Sequence, residues 1–241
     1  MELVNSGLNV TEGKEHELNT FLSDLLSVNK NTLIKELVVS TNGWKKDESV
    51  FVSGECGYST DEMCKVVHVD SNGFKGIDQK GDIQTWYDGL ETMLEYDVIR
   101  FKMYSVMAAP LLRILNQSSC VVDDAKESSE GKTFGCSIAM SLLGSYKHLM
   151  INGDTTKTAA ELKATQYNDH ALFIDELGTQ QNEEVLKALV YMIANEQGRG
   201  RANKDLTLRK TSTWKTIALT TGEAPITSHS SFTGQQVRVI E

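Results

Sequence analysis

The segment Lys126-Glu127-Ser128-Ser129-Glu130-Gly131-Lys132-Thr133 follows a β-prone run and opens a helical pattern, the place where a phosphate-binding loop belongs. In such a loop, backbone N–H groups at a helix N-terminus cradle phosphate oxygens. A lysine then reaches the β and γ charges, and a hydroxyl helps to hold magnesium. The expected nucleotide contacts are therefore Ser128, Ser129, Glu130, Gly131, Lys132 and Thr133, with Lys132 also catalytic and Thr133 also a metal ligand. Two features depart from the full pattern: Lys126 stands where glycine is usual, and Glu130 brings a negative charge beside the phosphates. A bare Gly-Lys-Thr also suits an ordinary solvated helix start.

A second cluster makes the first more specific. The apolar run Ala171-Leu172-Phe173-Ile174 leads into Asp175-Glu176, placing two carboxylates at the end of a buried strand. Beside a phosphate loop, Asp175 would bind magnesium and Glu176 would polarise the water that attacks the γ-phosphate, so that ATP is hydrolysed to ADP and phosphate. The later strand Trp214 to Leu219 ends in Thr220-Thr221, where a hydroxyl can reach the γ-phosphate or that water. Thr220 is assigned to the nucleotide and Thr221 to catalysis, an ordinary strand-end turn being the alternative.

These residues need a scaffold, and the hydrophobic pattern supplies one. Leu18, Phe21, Leu22, Leu25 and Leu26 follow helical spacing and predict an amphipathic helix over roughly 11–28. From Leu37 to Phe74, short β-rich runs alternate with glycine and asparagine turns, one of them holding Gly43-Trp44, which predicts a small sheet with a tryptophan anchor. Helical spacing returns from about Thr85 to Leu115, with Pro110 bending or restarting it. Beyond Ser119, strands at Cys120-Val121-Val122, Leu149-Met150-Ile151, Ala171 to Ile174, Trp214 to Thr220 and Val237 to Ile240 alternate with helices. That alternation predicts a parallel sheet with ligands at the carboxyl ends of its strands. The expected organisation is an N-terminal α+β accessory domain (1–84), a helical connection (85–117) and an α/β nucleotide-binding core (118–241).

Composition narrows the partners. At 241 residues with 40% hydrophobic and 24% charged residues, the chain is a globular protein and not a disordered one. Met1 to Val10 has neither the basic flank nor the apolar run of a signal peptide, and no apolar stretch is long enough to cross a membrane, so a cytoplasmic location is expected. The four cysteines show no metal-ligand spacing and are expected to be free thiols. A net charge of −9 argues against a surface that coats nucleic acid. Any such contact must be local, and the stretch containing Arg199, Arg201, Lys204, Arg209, Lys210 and Lys215 against the single acid Asp205 is the place for it.

The run Tyr191-Met192-Ile193-Ala194-Asn195-Glu196-Gln197-Gly198-Arg199-Gly200-Arg201-Ala202-Asn203, followed by Trp214 and Thr220-Thr221-Gly222-Glu223-Ala224-Pro225, resembles the family known as domain of unknown function 927. So does the order of Gly43-Trp44, Ser128 to Thr133 and Leu172 to Gly178 around it. That family is similar to AAA+ P-loop ATPases of phages, plasmids and mobile elements, related to replicative helicases of the minichromosome-maintenance type. The resemblance implies an AAA+-type parallel sheet with flanking helices, ATP and magnesium as cofactors, single-stranded or forked DNA as partner, and a homo-oligomeric ring, a hexamer in the full assembly.

It also implies that the stretch 198–213 is a hairpin gripping DNA in the ring pore through Arg199, Arg201, Lys204, Arg209 and Lys210. Arg238, in another stretch resembling the family, would act across a subunit boundary. The chain ends just after a strand, where an AAA+ module would continue into a helical lid, so the expectation is either a fragment or a lidless module. The rival expectations are a nucleotide- or DNA-binding regulatory scaffold without turnover and, further off, a small P-loop kinase.

Overall fold

The computed structural model describes residues 13–29, 37–45, 48–60, 63–68, 76–127, 131–152, 155–177, 190–200, 211–229 and 238–241. The chain divides into two compact units, Met1–Glu36 and Leu37–Glu241. The first contains helix α1 (Glu15–Val28), closed by the Asn29 backbone N–H donating to the Leu25 carbonyl at 3.1 Å.

The second unit begins with a five-stranded sheet: β1 (Leu37–Val39), β2 (Gly43–Lys45), β3 (Val50–Ser53), β4 (Cys56–Ser59) and β5 (Met63–His68), in the order β1-β5-β4-β3-β2. Strands β2 to β5 form an antiparallel meander, and β1 joins β5 in parallel. Alternation along β3 buries Val50 and Val52, which pack with Val39 and Val66. Gly43-Trp44 lies in strand β2, not in the turn expected for it, because its edge pairs with Val52 and Phe51. Trp44 is half-buried; its indole N–H donates to the Pro110 carbonyl at 2.8 Å and its backbone N–H to Asp169 Oδ2 at 3.0 Å. Gly43 has φ +87°, and a Cβ there would lie 2.4 Å from the Asn168 carbonyl oxygen, so both conformation and space demand glycine.

Asp82 caps helix α2 (Ile83–Glu91), accepting from the Thr85 backbone N–H at 2.9 Å. Helix α3 (Asp97–Ala108) follows, and Pro110 restarts the chain as the short α4 (Leu111–Ile114). The rest is an α/β fold. Strands β6 (Cys120–Ala125), β7 (Met150–Asn152), β8 (Leu172–Leu177), β9 (Ile217–Gly222) and β10 (Val239–Ile240) form a wholly parallel sheet ordered β10-β6-β9-β8-β7. Between them run α5 (Lys132–Met140), α6 (Tyr146–Leu149) and α7 (Lys157–Gln166), and 190–194 is also helical. Phe173, Ile174, Ala218 and Leu219 are fully enclosed, as strands covered on both faces require. This is the parallel sheet with flanking helices that the sequence predicts.

The small sheet docks on the amino-terminal edge of the parallel one through a buried polar network. Asn42 donates its side-chain amide to the Gln166 carbonyl at 3.1 Å, and Arg113 Nε donates to Asp169 Oδ1 at 2.9 Å. His170 stacks on Phe51 with ring centroids 4.9 Å apart. Its Nδ1 lies 3.2 Å from the Asn168 carbonyl, which can only accept, so Nδ1 carries the proton and Nε2 accepts from the Ser53 hydroxyl at 3.0 Å. Burial of this neutral ring pulls its pKa from 6.5 down to about 4. A group with a lowered folded-state value contributes stability that is complete above the unfolded pKa and is lost as pH falls through the folded one. Urea unfolding from pH 7 to 4 is therefore expected to lose about 3 kcal/mol through this group, and His170→Asn should flatten that part of the profile. An equal slope in both proteins would exclude His170 as the source.

Among the described residues no helix is long and apolar enough to cross a membrane. Cys56, Cys120 and Cys136 are free thiols, and burial pushes Cys136 up to about 11, which keeps it protonated and inert.

Candidate functional site

The carboxyl edge of the parallel sheet brings three strand ends and one helix start together. Gly131, at φ +75°, turns the chain in the left-handed region into the first residue of α5, where a Cβ would meet nothing but would strain the backbone. Lys132 follows at once. Its ammonium folds back over the loop, donating to the carbonyls of Lys126 and, at 2.8 Å, of Glu127. Thr133 is exposed one residue further on, and its hydroxyl donates to Asp175 Oδ1 at 2.9 Å. The Thr221 hydroxyl donates to the same oxygen at 2.5 Å. A carboxylate oxygen shared by two hydroxyls at a helix N-terminus is a set of hard oxygen donors of the kind that suits magnesium.

Strand order explains the convergence. Strand β9 lies between β6, which feeds the loop, and β8, which carries Asp175, so the tip of β9 meets both. The Lys126 backbone N–H donates to the Gly222 carbonyl at 3.2 Å and ties the start of the loop to that tip. Lys126 itself is exposed and its φ is not positive, so this backbone has no need of the glycine usual at that position.

Alternation along β9 separates the two threonines. Both are buried, but the Thr221 hydroxyl is on Asp175 and the Thr220 hydroxyl on Asp123 Oδ1 at 2.6 Å. The structure thus does not bring Thr220 to the nucleotide contacts assigned to it; it joins Asp123 in fastening the Ile226 backbone N–H, 2.9 Å from Asp123 Oδ2. Burial raises the pKa of Asp123, while the hydrogen bonds from Thr220 and Ile226 oppose that rise. In β8 the pairing with β9 shifts register between Ile174 and Leu177, and this bulge interrupts strict alternation at Asp175-Glu176. Ser128, Ser129 and Glu130 lie outside the described residues, as does the Glu176 side chain.

The basic stretch springs from a paired base at the opposite edge of the sheet. Gln197 bridges Thr213 in antiparallel fashion, Gly198 N–H donates to the Ser212 carbonyl at 2.8 Å, and Trp214 N–H donates to the Glu196 carbonyl at 3.1 Å. Arg199 is exposed just beyond this base, while Arg201, Lys204, Arg209 and Lys210 lie outside the described residues. Lys215 is used internally, pairing with Glu196 at 3.3 Å. The Glu196 carboxylate also takes the Ser119 backbone N–H at 2.6 Å, which fastens these paired segments to the start of β6.

Arg238 is held on the amino-terminal edge, donating to the Ala194 carbonyl at 2.8 Å and to Asn195 Oδ1 at 3.1 Å. It caps the helical stretch 190–194 and is not at the Thr133–Asp175 cluster of its own chain.

One pair at the site went unnoticed in the sequence. Lys102 of α3 is buried against Asp124 of β6, immediately behind the loop. The signal for it was a lysine inside the apolar pattern of Val98, Met103 and Val106, matched by a second acidic strand end, Asp123-Asp124.

The overall fold is similar to that of the SCCmec type IV Cch active helicase, with a TM-score of 0.64 and 17% identity. The match covers 99% of this chain and 46% of that one, so the chain spans a little under half of its length. No curated protein matches the sequence. The profile of the domain of unknown function (DUF927) matches residues 1–214, and the chain belongs to that family.

Proposed function

We propose that this chain is an AAA+-type ATPase module that hydrolyses ATP in a DNA helicase or DNA-processing protein of a phage, plasmid or other mobile element, working as a homo-oligomeric ring. The observation that carries it is the meeting of Thr133, Asp175 and Thr221 beside Lys132, at an edge of the sheet where a helix N-terminus is also presented.

On this proposal, Lys132 leaves the loop carbonyls for the β and γ oxygens. Thr133 and Asp175 would hold magnesium, Thr221 would orient the attacking water, and Glu176 would take its proton. Bound magnesium supplies charge neutralisation on the phosphates. The paired base at 196–198 and 212–214 supports a projecting basic hairpin for single-stranded or forked DNA. A role for Arg238 on a neighbouring subunit would require its cap on Ala194 to be released or shared.

A regulatory module without turnover is the second possibility, favoured by the intramolecular bonds that already occupy the Lys132 ammonium. Phosphate release with and without single-stranded DNA separates the two: turnover stimulated by DNA is expected, and nucleotide binding without release would select the second. Replacing Arg201 and Lys204 together should leave basal turnover and abolish the stimulation. For every DNA phosphate no longer neutralised, the dependence of log affinity on log salt should also flatten by roughly 0.7. An unchanged salt slope would remove the hairpin from the DNA interface.

A further inference from the structure

We infer that Lys102 is a positioning residue for the phosphate loop, a buried ammonium that sets the span between the loop's two flanks. The inference rests on the proposed nucleotide site and deepens it. Lys102 is only 2% exposed, on a face of α3 shared with Met103, Ser105 and Val106. A charge in such surroundings persists only when well paired.

Its partners lie on either side of the loop. Asp124, next to last in β6, accepts an ion-paired hydrogen bond, and the carbonyl of Lys132, first residue of α5, lies 3.4 Å from Nζ. One ammonium from a helix outside the motif therefore touches the strand before the loop and the helix after it. The space it needs is kept by Gly135, one turn along α5, where a Cβ would stand 3.2 Å from Nζ.

The pair is neutral as a whole, so its contribution is to distance and not to attraction of phosphate. The backbone N–H groups at the start of α5 and the Lys132 ammonium can converge on a phosphate only if that span is fixed.

The two charges give an ordering that mere structural damage would not produce. Lys102→Met leaves the Asp124 carboxylate unpaired behind the phosphates and should weaken ATP binding by roughly 100-fold. Lys102→Met combined with Asp124→Leu removes both charges and isolates the lost span, with a loss of about tenfold. Asp124→Asn keeps an acceptor but leaves the buried ammonium without a counter-charge; with a positive and not a negative charge unpaired behind the phosphates, it should lose less ATP affinity than Lys102→Met, at a cost in thermal stability.

ATP affinity is measured by calorimetry on the full chain, with thermal unfolding alongside. Hydrogen exchange of the amides from Gly131 to Gly135 is followed without nucleotide, and should quicken about tenfold in the double variant while the other strands keep their protection. A folded double variant with wild-type affinity and wild-type exchange overturns the inference, as does equal loss in the single and double variants with protection lost throughout. If the wild type binds no ATP, the proposed function fails, and the exchange result alone decides whether Lys102 sets the loop.

Discussion

Lys132→Ala is expected to reduce ATP affinity by 100-fold or more, on the order of 3 kcal/mol, the value of two charge-assisted hydrogen bonds to phosphate. The resting ammonium already shows how the side chain reaches across the loop, bonding carbonyls of Lys126 and Glu127. Those residues are exposed, so water takes the place of the lost ammonium, and stability should change by about 0.5 kcal/mol or less. Titration with a fluorescent ATP analogue, paired with thermal unfolding, measures both quantities. Equal affinity in variant and wild type would remove Lys132 from the phosphates. The same titration on Lys126→Gly separates the loop's sequence from its shape: with a non-positive φ at 126, glycine should gain little.

The second large effect belongs to hydrolysis. Glu176→Gln should keep ATP bound and slow turnover by roughly 100-fold to 10,000-fold, the range for loss of a positioned general base. Asp175, its neighbour in β8, is already committed to the Thr133 and Thr221 hydroxyls, which suits it to a metal and leaves proton transfer to the next carboxylate. Single-turnover hydrolysis under saturating ATP reads the chemical step. A wild-type rate would transfer the base role elsewhere, and a parallel loss of binding would mean that the substitution had disturbed Asp175 instead.

The sequence made much of this edge readable, because the chemistry is local. Gly131-Lys132-Thr133 needs only the strand before it and the helix after it, and Asp175 only the apolar run that leads to it. The five parallel strands were likewise visible as apolar runs separated by helical spacing. What escaped depended on register or on long-range pairing. Which threonine of Thr220-Thr221 faces the site is decided by the alignment of β9 with β6 and β8, which places Thr220 against Asp123. Lys102 and Asp124, 22 residues apart, each look like a surface charge until α3 packs on α5. Strands β2 and β4 are too short, and too rich in glycine, serine and cysteine, to show β periodicity; their neighbours in the meander make them strands.

The paired segments 196–198 and 212–214 and the start of α5 sit at opposite ends of the same strands, and this has a mechanical consequence. Strand β6 runs from Cys120, beside the Ser119 amide held by Glu196, to Ala125 at the start of the loop, and β9 runs from Ile217 to Gly222 beside it. Six residues of extended chain make a strut about 20 Å long. In physiological salt the field of an exposed charge fades over about 8 Å, so a change of charge at the proposed nucleotide site would hardly be felt at those paired segments through solvent. Force can still cross that distance, because two stiff, hydrogen-bonded strands, β9 buried along its whole length, must shift or tilt at one end when pushed at the other.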